Sequence, residues 1–197
     1  MTTGENRNRF DAESHTYSIS GVEVPSVTRI LREVLPEAFR DAMQYYMDKG
    51  TAVHAACAFI AQGKTFTCDP DIEMPVTACR KFFADVKPVV QSVEHQGYST
   101  LYQFAGTKDC LALIDKKLTI VDWKSKKSEV AEIQLGAYGI LTPAATHGMV
   151  VELGADGKYK CSEQFKLDRR KNEFLAVRSV YSIKQRLKLI EKELSNE

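Results

Sequence analysis

The stretch "AGTKDCLALIDKKLTIVDWKSKK", Ala105 to Lys127, decides the fold. Two apolar runs flank the turn "IDKK" and read as a β-hairpin. Asp109 opens the first run, and Asp122 and Lys124 close the second. Burying a carboxylate costs free energy unless something pairs with it, and a hairpin built only for packing needs none there. Along "KLTIVDWK" alternate residues share a face: Leu118, Ile120, Asp122 and Lys124 on one, Thr119, Val121 and Trp123 on the other. With an even loop, Ile114 pairs with Lys117 and Asp109 falls opposite Asp122, Cβ atoms about 4.5–5.5 Å apart. A three-residue loop would put Asp122 on the wrong face. Two carboxylates at that spacing suit one Mg²⁺ or Mn²⁺, which takes oxygen ligands. Such an ion polarises a phosphate, lowers the pKa of a bound water and offsets developing charge. A lysine beside it can orient or deprotonate that water. The D-x-K spacing occurs four times, at Asp85, Asp115, Asp122 and Asp156, but only Asp122 ends an apolar strand with a carboxylate upstream on a paired strand. The alternative reading of the same residues is a surface hairpin with a cross-strand Asp–Lys salt bridge.

The rest of the chain is consistent with one domain over residues 1–197, a hairpin and helices over 1–90 and a catalytic sheet with helices over 91–197. Composition is 44% hydrophobic and 27% charged, ordinary for a globular protein. No apolar run reaches the ~20 residues of a membrane span, and the polar start "MTTGENRNRFDAES" has no signal-peptide core, which predicts a cytoplasmic protein. Five scattered cysteines without a C-x-x-C pair argue against zinc fingers and a disulfide framework. A net charge of +1 gives no global signature for nucleic acid. Locally, Lys158 to Lys192 is rich in basic residues, either a phosphate-holding stripe or a solvated helix face.

Period and punctuation predict the order of elements. "HTYSIS" and "VEVPSV" form a hairpin around Gly21, and Ser26 caps a helix. A helix over "EAFRDAMQYYMDKG" ends at Gly50, a second covers "TAVHAACAFIAQ", and "TFTCDPDIEMP" is a loop. An amphipathic third helix, "VTACRKFFADVK", ends before Pro88. Three strands follow, then a helix up to Pro143, two strands around "GADGK", and a long helix from about Arg170. This is a mixed α/β fold, a small sheet covered by helices.

Four motifs together resemble the RecB-like branch of the PD-(D/E)XK nuclease superfamily, in particular small phage-type exonucleases. They are Gly50-x-x-x-His54 in "KGTAVHAA", Asp109 after "FAGTK", Asp122-Trp123-Lys124, and Gln134-x-x-x-Tyr138 in "QLGAY". The resemblance implies a restriction-endonuclease-like core and a Mg²⁺- or Mn²⁺-dependent deoxyribonuclease, an exonuclease of phage or prophage recombination or repair. It implies that His54, Asp109, Asp122 and the Trp123 carbonyl hold the metal, that Lys124 serves the water, and that Gln134 and Tyr138 support the site. By alternation the Trp123 side chain points into the core. Glu94 is an extra acidic candidate that reads as structural. Lys108, Lys126, Arg169, Arg170 and Lys171 are candidates for the DNA backbone. DNA is the expected partner, with a recombination or annealing protein beside it, and no membrane. Only Cys161 follows the Gln134 motif, which excludes the iron–sulfur cluster that some relatives carry. A non-catalytic DNA-binding module and a structure-specific endonuclease are the rival functions.

Overall fold

The computed structural model describes residues 8–35, 47–125 and 129–195, without the side chains of 47–49 and 129. Pro36, most of the expected helix before Gly50, and Lys126 lie outside the described residues.

Two sheets are docked on one strand. The first is a three-stranded antiparallel sheet of β1 (Arg9–Asp11), β2 (Thr16–Ile19) and β3 (Val22–Val24), one strand more than the expected hairpin. Helix α1 (Val27–Val34) follows, with the Ser26 hydroxyl accepting the Arg29 N–H at 3.0 Å as its N-cap. The second sheet runs β4-β5-β6-β7-β8, from β4 (Val89–Ser99), β5 (Phe104–Ile114), β6 (Lys117–Lys124), β7 (His147–Leu153) and β8 (Tyr159–Cys161), with the short β9 (Phe165–Lys166) also on β7. Among the described strands of this sheet only β6 and β7 pair in parallel, joined by α4 (Glu129–Leu141), as a parallel pair requires a crossover. The first sheet meets the second at β5: Ser26 bridges Ala105, and the Tyr17 hydroxyl lies 2.8 Å from the Thr107 hydroxyl.

Helices cover both faces. On one, α2 (Met47–Ala61) and α3 (Glu73–Val86) bury Cys57, Cys79 and Phe82 against Cys110, Val121 and Trp123. On the other, α1, α4 and α5 (Leu167–Leu194) bury Ile30, Leu135 and Phe174 against Phe104, Ile120 and Val150. The alternation read along β6 is thus realised, with Trp123 1% exposed in the α2–α3 core.

Several boundaries differ from the sequence expectation. Helix α2 runs through Gly50 instead of stopping there, because a glycine ends a helix by taking positive φ and Gly50 does not. Helix α3 starts at Glu73, three residues earlier than expected, behind a 3₁₀ turn over Pro70–Ile72 within the expected loop, and Lys87 closes it at φ +50°. Among the described residues, no helix is long and apolar enough to cross a membrane.

Candidate metal centre

The β5–β6 connection has two loop residues, Asp115 and Lys116, both at positive φ, with Ile114 paired to Lys117. Those signs match the hairpin turn whose twist suits its strands. The ladder holds this register as far as Cys110–Val121. Beyond it the strands part, and the Trp123 N–H donates at 2.9 Å to the Asp109 carboxylate rather than to the β5 backbone. One step past the last pair, Asp109 and Asp122 stand opposite each other.

A third carboxylate extends the row. Across β4 and β5, Val93 pairs with Cys110 and His95 with Lys108, so Glu94 stands opposite Asp109. The ladder is interrupted there, and Glu94 takes φ +49°, a conformation that a non-glycine side chain adopts at a cost. Glu94, Asp109 and Asp122 therefore form a line across three strands. From α2, His54 places Nδ1 3.2 Å from Asp109 Oδ1. Donor atoms of His54, Glu94 and Asp109 all lie within 4.8 Å of one another.

Lys124 closes the row. Its Nζ donates to Asp122 Oδ1 at 3.1 Å and lies 2.9 Å from Oδ2. Oδ2 is buried yet accepts no hydrogen bond of good geometry among the described residues. Behind the row, on α4, the Gln134 amide donates to the Tyr138 hydroxyl at 2.9 Å, one helical turn apart and both buried. Gly106 makes room for this pair: a Cβ there would lie 3.0 Å from the Tyr138 ring and 2.9 Å from Val27.

The fold resembles that of a solved exonuclease. The chain is similar to the crystal structure of an alkaline exonuclease, LHK-Exo, from Laribacter hongkongensis, at 12% identity over 87% of this chain and 93% of that one, with a TM-score of 0.49. With LHK-Exo in complex with dAMP the TM-score is 0.51, at 12% identity over 88% of this chain and 94% of that one. The chain has the PD-(D/E)XK nuclease fold. No family model and no curated protein sequence matches it.

Within this nuclease fold the row of acids is electrostatically strained. Burial pushes the Asp122 carboxyl up to about 6, with Asp109 adding to the shift and Lys124 opposing it. Burial and the Asp109 charge push Glu94 up to about 7. Asp109 goes the other way: burial raises it, but His54, Lys124 and the Trp123 N–H outweigh that. His54 is held above its ordinary value, the Asp109 charge overcoming burial. Lys124 is likewise kept charged by Asp122 and Asp109 against its burial. Burial, Asp122 and Asp109 suppress ionisation of Tyr138. Three acids and an imidazole form a hard-donor set with more carboxylates than its one lysine can pair. That chemistry fits a divalent cation bound by oxygen and imidazole.

The structure thus brings His54, Asp109, Asp122, Lys124, Gln134 and Tyr138 together and adds Glu94. The place of Glu94 beside Asp109 depends on the four-residue β4–β5 loop and on a bulge between Val90 and Ser92, neither of which the alternation of "VVQSVEHQ" reveals. Other basic candidates sit elsewhere. Lys108 is 5% exposed, its Nζ 3.1 Å from His95 Nδ1. Arg170 is held by Glu132 and Glu173, Arg169 by Glu173, and Lys171 lies 3.6 Å from Asp168, all at the start of α5.

Proposed function

We propose that this protein is a Mg²⁺- or Mn²⁺-dependent DNA exonuclease that hydrolyses phosphodiester bonds at the ends of linear DNA. The observation that carries this reading is the meeting of His54, Asp109, Asp122 and Lys124 at one point of a nuclease fold, with Asp122 Oδ2 buried and faced only by the Lys124 ammonium. The row needs a cation, and the adjoining lysine gives that cation a hydrolytic use.

A divalent ion held by His54, Asp109 and Asp122, with Glu94 and the Trp123 carbonyl at hand, would polarise the scissile phosphate and acidify the attacking water. Asp109 is fixed for this by two hydrogen bonds, from Trp123 N–H and with His54. Lys124 keeps its proton beside Asp122, so its role is to orient the water and stabilise charge on the phosphorus oxygens rather than to act as the base. Gln134 and Tyr138 form a neutral, hydrogen-bonded wall behind it. Lys108, Arg169, Arg170 and Lys171 are proposed only as longer-range attraction for the backbone, since most of them already serve an acid or a histidine.

The exonuclease form is favoured by the neighbour captured with dAMP, a mononucleotide of the kind that stepwise digestion releases. Action in phage or prophage recombination or repair, beside an annealing protein in the cytoplasm, rests on the four-motif resemblance. The test is incubation of end-labelled linear DNA and covalently closed circles with Mg²⁺, Mn²⁺ or EDTA. Metal-dependent release of mononucleotides from the linear form alone is expected. Nicking of circles would replace the exonuclease with an endonuclease, and metal-dependent binding without any cleavage would leave a DNA-binding module.

A further inference from the structure

The body-facing side of α5 is anchored from Phe174 to Lys188. Phe174 and Tyr181 are buried, and Lys184, Gln185 and Lys188 all reach Glu33 of α1, at 2.9, 2.6 and 3.1 Å. The opposite side is apolar and open. Val180, Ile183, Leu187, Ile190 and Leu194 are 45, 47, 54, 51 and 68% exposed. Their spacing of three, four, three and four residues is a heptad, with Val180, Leu187 and Leu194 at a and Ile183 and Ile190 at d. No other assignment of a and d fits that spacing. A helix face exposed for solvation would scatter such residues; five at a sustained 3.5-residue period form a seam built for another helix.

We propose that this seam joins α5 to α5 of a second copy of this chain, in parallel and in register. The flanking charges choose the partner. Arg186 stands at g and Glu191 at the following e, the two positions that meet between parallel neighbours. Two copies in register bring Arg186 of each against Glu191 of the other. Within one helix the same two residues lie about 140° apart and cannot pair, and neither has an ion pair within the chain among the described residues. A self-complementary pair of this kind points to identical helices rather than to an unrelated protein. The seam is also open: α5 is 28 residues, about 42 Å, and its anchoring side chains Phe174, Tyr181, Gln185 and Lys188 fall at b and f, away from a and d, with Lys184 alone at the flanking e position. The proposal does not rest on the nuclease reading.

The full-length chain is weighed by light scattering on size exclusion over a concentration series. A mass of twice the chain's 22.1 kDa at the highest concentrations is expected. Leu187→Glu together with Ile190→Glu should give the monomer with the helical circular dichroism retained, because both positions are exposed. Arg186→Glu alone and Glu191→Arg alone should each weaken association about tenfold or more, since each sets like charges across the seam. Arg186→Glu with Glu191→Arg should restore it. A wild-type monomer throughout, association that survives the double glutamate variant, or no rescue by the charge swap would each overturn the proposal.

Discussion

At the residue scale the site is a line of three acids that repel one another, and that repulsion has measurable consequences. Asp122 and Glu94 hold protons more tightly folded than unfolded, so their protonated forms favour the native state. That stability is fully present below their ordinary pKa values, near 4, and is lost as pH rises through about 6 for Asp122 and about 7 for Glu94. In EDTA the melting temperature should fall between pH 4.5 and 7.5, and Asp122→Asn with Glu94→Gln should flatten the fall. An unchanged slope in that variant would show that these carboxyls are not the source. Mn²⁺ at one hundred times its Kd should restore about 2.7 kcal/mol to the wild type, and Asp109→Asn should abolish the restoration. Lys124→Ala separates the roles: Mn²⁺ should still raise its melting temperature, while DNA hydrolysis falls by about 10²–10³. A lysine needed only for folding would lose both together.

At the element scale the hairpin decides everything, because a strand's side chains have a period of two. One residue inserted between Lys116 and Lys117 would turn Asp122 into the α2–α3 core and Trp123 out of it, and such a variant should be inactive and markedly less stable. Lys116 sits at φ +62°, where glycine is at ease. Lys116→Gly should therefore raise stability by about 1 kcal/mol in urea unfolding, with hydrolysis unchanged. Between α4 and α5 the close approach is at Gly136, where a Cβ would overlap the Arg170 carbonyl. Gly136→Ala should cost about 2–3 kcal/mol, and a neutral outcome would mean that the two helices can slide apart freely.

At the scale of the whole molecule, what could be read in advance followed from local rules. The inward Trp123 and the Gln134–Tyr138 pair come from short periods along one element, which the sequence displays openly, whereas the β5–β6 register followed only on the condition of an even loop, which the two-residue turn meets. Glu94 was not legible in the same way, since it enters the site through the pairing of two strands and a backbone conformation that breaks their ladder. Nor was the fate of Arg170, whose acid partner Glu132 lies on another helix. The passage of α2 through Gly50 was hidden because glycine permits a stop without compelling one. Charge tells the same story: a net +1 conceals a site where three acids face one lysine.

The measurement that bears most directly on the central claim is Mn²⁺-dependent hydrolysis of end-labelled linear DNA by the wild type and by Asp122→Asn, both shown to be folded. Hydrolysis that needs the cation, stops in EDTA and is lost in Asp122→Asn is the predicted result. Hydrolysis that persists in EDTA, or that survives Asp122→Asn undiminished, would contradict a metal centre at His54, Asp109 and Asp122.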